Sequence, residues 1–195
     1  PNLALLPAAQ TATYDSVQIT DFQELISALR LQFEFVLIDC PAGVDKGFQH
    51  AVAVSDQAIV VATPEVSSVR DADRVCRLIE TIGQPEPLLI LNKMRFDLVE
   101  QGDMLDKDDV VEILALPLIG LFPDTEEIII ATNRGVPCSL EPKSIVGEGF
   151  SRIARRLTGE AELPLLCWKR DRTLWSTLRR WVSRLTDEND QREAI

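Results

Sequence analysis

Apolar residues fall along this chain in two rhythms. Short, nearly continuous runs occupy residues 3–6, 33–39, 57–62 (QAIVVA), 87–91 (PLLIL) and 117–122 (PLIGLF). Runs of this length without polar alternation predict strands buried on both faces, as in parallel sheets. Between them the spacing turns helical. Val69, Ala72, Val75, Cys76, Ile79 and Ile82 share one face of a helix beginning near Ser68, and Arg70, Asp71, Arg74 and Arg77 take the other. A helix is predicted over 21–31, where Thr20 and Gln23 have the spacing of a capping box, with two more over 108–114 and 144–157. Strands alternating with helices predict βαβ units and an α/β three-layer sandwich around a mostly parallel sheet. The pattern breaks at Pro164, which divides a body, residues 1–163, from a tail, 164–195.

Composition narrows the class. At 195 residues and 46% hydrophobic, the chain suits one domain with a substantial core. No apolar stretch approaches the roughly 18–20 residues of a membrane-spanning helix. No basic-then-apolar leader opens the chain, so a cytoplasmic protein is expected. It starts at Pro1 rather than methionine, and a partial sequence is the expectation. Cys40, Cys76, Cys138 and Cys167 are scattered with no C-x-x-C pair, and His50 is the single histidine. Neither a disulfide framework nor a zinc site has that spacing, so the thiols are expected to be reduced and structural.

The net charge of −11 is unevenly spread. Residues 168–185 hold six basic side chains and one acid, for +5, and the last ten hold four acids and one arginine, for −3. Residues 1–167 therefore carry −13. An acidic body argues against nucleic acid as a partner, since that binding rests on basic phosphate contacts.

The sharpest local feature is FEFVLIDCPAGVDKG, residues 33–47. Its apolar run would deliver Asp39 to the carboxyl end of a strand, the edge at which open α/β sheets bind ligands. A carboxylate there can hold Mg²⁺, directly or through water, beside nucleotide phosphates, and Gly43 would let a backbone N–H approach a phosphate closely. The plainer reading, a strand-capping aspartate before an ordinary loop, fits the same residues.

Taken together, LLPAAQT (5–11), DCPAG (39–43), TPEVSSVRDADR (63–74), LNK (91–93), GDML (102–105), PLIG (117–120) and NRGVP (133–137) resemble the MinD family, the deviant-Walker ATPases that position the division septum. Cyanobacterial and plastid members look closest, and the resemblance runs from about residue 2 to residue 160. It implies a P-loop NTPase-type fold and binding of ATP with Mg²⁺. Asp39 would be the Walker B-type acid and Gly43 the sensor of the γ-phosphate. Asn92 would hydrogen-bond adenine, a task an amide suits, while Pro123 and Asp124 close over the base. Glu65 and Ser67 would lie near the nucleotide or a dimer seam. Arg70, Asp71 and Asp73 would belong to a surface for MinC-like and MinE-like regulators, although acids in the first turns of a helix also simply suit its dipole. The family opens with a glycine-rich loop bearing two lysines, and no Gly-Lys-Ser/Thr triplet occurs here. The chain is therefore expected to lack the N-terminal P-loop segment and to show no ATP turnover alone. It should also leave two flanking strands with unpaired backbone groups around an apolar slot.

In the tail, Leu174, Trp175, Leu178, Trp181, Val182 and Leu185 form one apolar stripe, with Arg172, Arg179, Arg180 and Arg184 beside or opposite it. Such a helix, about 173–185, is expected to lie on an anionic membrane surface, and the resemblance implies the same. A terminal helix packed on the body or on a second subunit is the other reading. The sequence thus points to a cell-division site-selection protein that dimerises with ATP and binds the inner face of the cell membrane. The alternatives are a non-hydrolysing membrane adaptor and a ParA-type partition ATPase.

Overall fold

A computed structural model describes residues 3–7, 17–40, 43–141, 143–160, 164–166 and 168. The chain divides into two compact units, residues 1–165 and 166–195, and the fold described is that of the first.

Its centre is a parallel sheet of three strands in the order β1 (Ile59–Ala62), β2 (Leu88–Met94) and β3 (Leu118–Pro123). Helices α1 (Ile19–Arg30) and α2 (Lys46–Val54) precede the sheet. Helix α3 (Val66–Ile82) crosses from β1 to β2, and α4 (Phe96–Gln101) and α5 (Lys107–Leu114) cross from β2 to β3. After β3 come α6 (Glu126–Arg134), a 3₁₀ turn (Cys138–Leu140) and α7 (Ile145–Leu157). Local chemistry sets several ends. Asp106 caps α5 by accepting from the N–H groups of Asp108 and Asp109, with Asp109 answering in a capping box. Ser144 caps α7 through Gly147 N–H at 2.7 Å. Gly83, Gly102 and Gly135 close α3, α4 and α6 in the left-handed conformation.

The two faces of the sheet are covered unequally. On one, Val60, Ala62, Leu89, Leu91, Ile119 and Leu121 are buried, with α3 packed on β1 and on α5. The other carries α7 over β3. Here Gly120 and Gly149 make room: a Cβ at Gly120 would lie 2.3 Å from Ile153 Cδ1, and one at Gly149 2.8 Å from the Phe122 ring. Phe122 also stacks on Phe150, with ring centroids 4.4 Å apart. Cover thins toward β1, where Ile59 is 37% and Val61 61% exposed. In β3 the register slips between the pairs of Leu89 and Ile90, and beside the slip Arg156 Nη1 donates to Ile119 O at 2.6 Å.

Three sequence expectations are corrected. Residues 33–39 are not a buried strand: the segment joins no ladder, Phe35 is 55% exposed and Leu37 85%. Residues 3–6 form no strand either, and Leu3, Leu5 and Leu6 are exposed. Apolar runs become strands only where a neighbour supplies ladder partners, and none of the described residues does so here. Helix α1 begins at Ile19 with Gln18 at its N-cap, so Thr20 lies inside the helix and makes no capping box. Cys76 and Cys138 are buried as expected, whereas Cys40 is exposed. Among the described residues no helix is long and apolar enough to cross a membrane.

Candidate functional site

The carboxyl ends of β2 and β3 gather three of the residues singled out in sequence. Asn92 stands near the end of β2, half-buried, and its Oδ1 accepts from Lys93 N–H at 2.9 Å. Lys93 has φ of 56°, a left-handed conformation that strains a residue with a Cβ. The register of β2 slips between Leu91 and Met94, so the strand bulges where Asn92 and Lys93 sit. Beyond the bulge, Met94 pairs with Pro123, and Asp124 N–H donates to Met94 O at 3.0 Å. That bond seats the Pro123–Asp124 loop beside the strand end bearing Asn92.

The loop from β1 into α3 is held from within. Thr63 N–H donates to Ser68 Oγ at 3.0 Å, and Thr63 Oγ1 donates to Glu65 Oε2 at 3.3 Å. Glu65 lies at the N-cap of α3 with no side-chain cap of its own, exposed at the mouth of a cleft of about 400 Å³. Asp103, Asp106 and Asp109 also line that cleft. Two of these acids already cap α5, so the cleft is an acidic surface feature organised by helix capping. Ser67 and Arg70 are exposed on α3, as is Asp71, while Asp73 is half-buried and pairs with Arg77 at 3.0 Å.

Asp39 stands on the extended segment that joins no ladder, and Gly43 lies in the bend that leads into α2. Asp39 is exposed, and Gly43 takes φ of +105° with open space where a Cβ would point. Glycine is therefore the residue that this backbone geometry favours. Although Cys40 is exposed at the surface, partial loss of hydration, then the neighbouring Asp39 carboxylate, raises the pKa of its thiol. Neither the acidic cleft nor a second, apolar one of about 390 Å³ around Ile128, Val136 and Phe150 is lined by Asp39, Gly43, Asn92, Pro123 or Asp124. Among the described residues no group of three or more His, Cys, Asp or Glu side chains is placed to hold a metal ion. Asn92, Pro123 and Asp124 thus meet at one strand end, and the sequence holds no glycine-rich, lysine-bearing phosphate loop. The membrane-binding candidates Leu174, Trp175, Leu178, Arg179, Arg180, Trp181, Val182, Arg184 and Leu185 lie outside the described residues.

Sequence reasoning missed Ser68, which ties the β1–α3 loop. A serine three residues after an N-cap was the available signal. It also missed the left-handed turn at Lys93, for which a lysine gives no signal.

No protein-family model matches the chain. It is similar to the septum site-determining protein MinD of Synechocystis sp., 46% identical over 167 residues, covering 85% of this chain and 62% of that one. The MinD of Bacillus subtilis is 41% identical over 160 residues, covering 82% and 60%. Among solved structures, the MinC:MinD cell division complex of Aquifex aeolicus matches with a TM-score of 0.73 and 36% identity, over 78% of this chain and 64% of that one. The MinD of Pyrococcus horikoshii complexed with Mg-ADP matches at 0.64 and 25% identity, over 74% and 58%. The chain spans about three fifths of the length of these relatives.

Proposed function

Because the chain belongs to the MinD family, we propose that it is the greater part of an ATP-binding, membrane-associated switch that selects the cell-division site. The observation that carries this reading is the Asp124 N–H bond to Met94 O, which sets the Pro123–Asp124 loop against the strand end bearing Asn92. In the proposal Asn92 reads the adenine edge, Pro123 and Asp124 close over the base, and Glu65 lies near the nucleotide. The Pyrococcus relative bound to Mg-ADP supports Mg²⁺ and an adenine nucleotide as the ligand. Asp39 is the acid that would hold Mg²⁺ through water, and Gly43 the backbone donor that senses the γ-phosphate. Neither can complete a phosphate site without a glycine-rich loop carrying lysines, which these 195 residues do not contain. Hydrolysis is accordingly assigned to no residue set within this chain alone.

Binding ATP would join two copies and so two weakly binding tails. One interfacial helix of about 173–185 is marginal on an anionic membrane, and two held together are stable, so avidity couples nucleotide to membrane. Ser67, Arg70, Asp71 and Asp73 form the proposed surface for MinC-like and MinE-like regulators, and the Aquifex MinC:MinD relative supports the first. Arg70 and Asp71 are exposed for that role, whereas a partner would have to compete with Arg77 for Asp73. The absent phosphate loop favours one second reading, a membrane adaptor that recruits the same partners without hydrolysis.

A chimera tests the proposal, with residues 2–160 replacing the matching part of the Synechocystis relative. It is expected to bind and hydrolyse ATP, Asp39→Ala to abolish turnover, and Asn92→Ala to weaken binding about tenfold, as loss of one base hydrogen bond would. A folded chimera that binds no ATP would overturn the reading, and one that binds without turnover would favour the adaptor. Turnover by the 195 residues alone, lost on Asp39→Ala, would contradict the assignment of hydrolysis.

A further inference from the structure

Among the described residues, two that carry a side chain take a left-handed backbone, Lys93 at φ of 56° and Ala115 at φ of 53°. Ala115 has an ordinary reason, since it is the C-cap of α5 and its N–H returns to Val111 O. Lys93 has no such reason: it is the next-to-last residue of β2, and no helix ends there. Strain of this kind persists only where the surroundings hold it, and it gathers at sites that bind ligands.

At Lys93 the strain has a product. Pairing with β1 ends at Leu91 and pairing with β3 resumes at Met94, so neither Asn92 nor Lys93 has a ladder partner. The peptide between them instead turns its N–H to the Asn92 side chain, where Oδ1 accepts it at 2.9 Å. The left-handed turn at Lys93 then brings the chain back to the sheet, where Met94 pairs with Pro123 and its carbonyl accepts from Asp124 N–H. The Asn92 amide is therefore held one way round. Turned over, it would set its NH₂ group against the Lys93 N–H, donor against donor.

An amide held one way round can tell purines apart. Adenine carries an amino donor beside a ring-nitrogen acceptor, and guanine carries a carbonyl acceptor where adenine has the amino group. With Oδ1 bonded to Lys93, Asn92 keeps a second lone pair on that oxygen and two N–H donors on Nδ2. Such an amide accepts from the adenine amino group while donating to the ring nitrogen. Against guanine it sets oxygen on oxygen. Only the turned-over amide could donate to the guanine carbonyl, and the Lys93 N–H opposes that turn.

We propose that Lys93 is a positioning residue for base selection: its backbone N–H, presented at a strained strand bulge, fixes the Asn92 amide in the orientation that takes adenine and refuses guanine. This rests on the reading above, in which Asn92 meets the base. The ammonium group has no part in it, because the main chain makes the bond. Glycine, which keeps the N–H and adopts the left-handed turn freely, serves as well as lysine. Valine, branched at Cβ, resists the turn.

The lock is read first in the full 195-residue chain, by hydrogen exchange of the Lys93 amide. Asn92→Ala should speed that exchange by at least about tenfold while leaving Leu89 and Ile90 unchanged, as loss of one local hydrogen bond does. Selectivity is read in the chimera described above, by equilibrium binding of ATP and of GTP. Lys93→Val should cut the preference for ATP by about tenfold, the worth of one hydrogen bond, and Lys93→Gly should keep it within about twofold. Unchanged exchange in Asn92→Ala would overturn the proposal. So would an undiminished preference in a folded Lys93→Val chimera, or a tenfold loss in Lys93→Gly, which would give the role to the lysine side chain. Should Lys93→Val fail to fold, the exchange and Lys93→Gly decide. A chimera that binds neither nucleotide removes the nucleotide reading and this proposal with it, whereas one that prefers ATP whatever stands at position 93 removes the lock alone.

Discussion

Gly120 and Val61 occupy the same row of the same face of the sheet, two strands apart, in opposite surroundings. At Gly120 a single added carbon would stand 2.3 Å from Ile153, so close is α7. At Val61 a whole isopropyl group is 61% exposed. On the opposite face the parallel row of Ala62, Leu91 and Leu121 is buried from end to end. Both ends of the sheet are built from equally apolar sequence. What separates them on this face, among the described residues, is whether a second element lies above the strand, as α7 lies above β3.

That contrast can be broken hardest at the seat of α7. A Cβ at Gly147 would lie 2.3 Å from the backbone oxygen of Cys138, which cannot swing aside as a side chain can. Gly147→Ala should therefore cost about 2–3 kcal/mol, read as a lower urea midpoint. A loss below about 0.5 kcal/mol would mean that α7 is not closely seated. Arg156→Ala should cost about 1–2 kcal/mol in the same assay, because it leaves the part-buried Ile119 carbonyl without its guanidinium donor. At the open end, Val61→Ser should change stability by no more than about 0.5 kcal/mol, as exposed positions do. A loss like that of a core valine would show that β1 is covered after all.

The smallest effect is electrostatic and lies outside both ends. Arg95 grips Asp97 through two hydrogen bonds, of 3.1 and 2.8 Å, and lowers its carboxyl pKa to about 2. A carboxylate depressed in the folded state adds stability above its unfolded pKa, near 3.9, and loses it as pH falls toward 2. Both side chains are more than a third exposed, so the contribution should stay below about 1 kcal/mol. Urea midpoints of the wild type and Asp97→Asn should differ slightly at pH 5 and converge near pH 2.

The same contrast explains what was legible in the sequence. The runs at 57–62, 87–91 and 117–122 became β1, β2 and β3 because each found a neighbour, and the periodic stretches became α3, α5 and α7. The run at 33–39 is just as apolar, and nothing local in it tells that its ladder partners are lacking. Helix α6 was missed although its signals are plain in retrospect: Thr125 caps it, Glu126 and Glu127 fill its first turn, and Gly135 ends it. Helix α4 has six residues between Arg95 and Gly102, too few to show a period, and α2 carries a glycine in its first turn. In the site, Asn92 and Pro123–Asp124 were legible because strand ends at one edge of a parallel sheet must meet. Their actual meeting depends on the bulge at Lys93 and on one backbone bond to Met94, and side-chain chemistry encodes neither.

The contrast between the covered and open ends of the sheet is tested most directly by native-state hydrogen exchange on the 195-residue chain alone. The amides of 34–39 should exchange nearly as fast as an unfolded peptide, while those of β2 and β3 stay protected by at least about a hundredfold. Protection of 34–39 equal to that of β2 would contradict the account, since it would mean that the segment already has ladder partners.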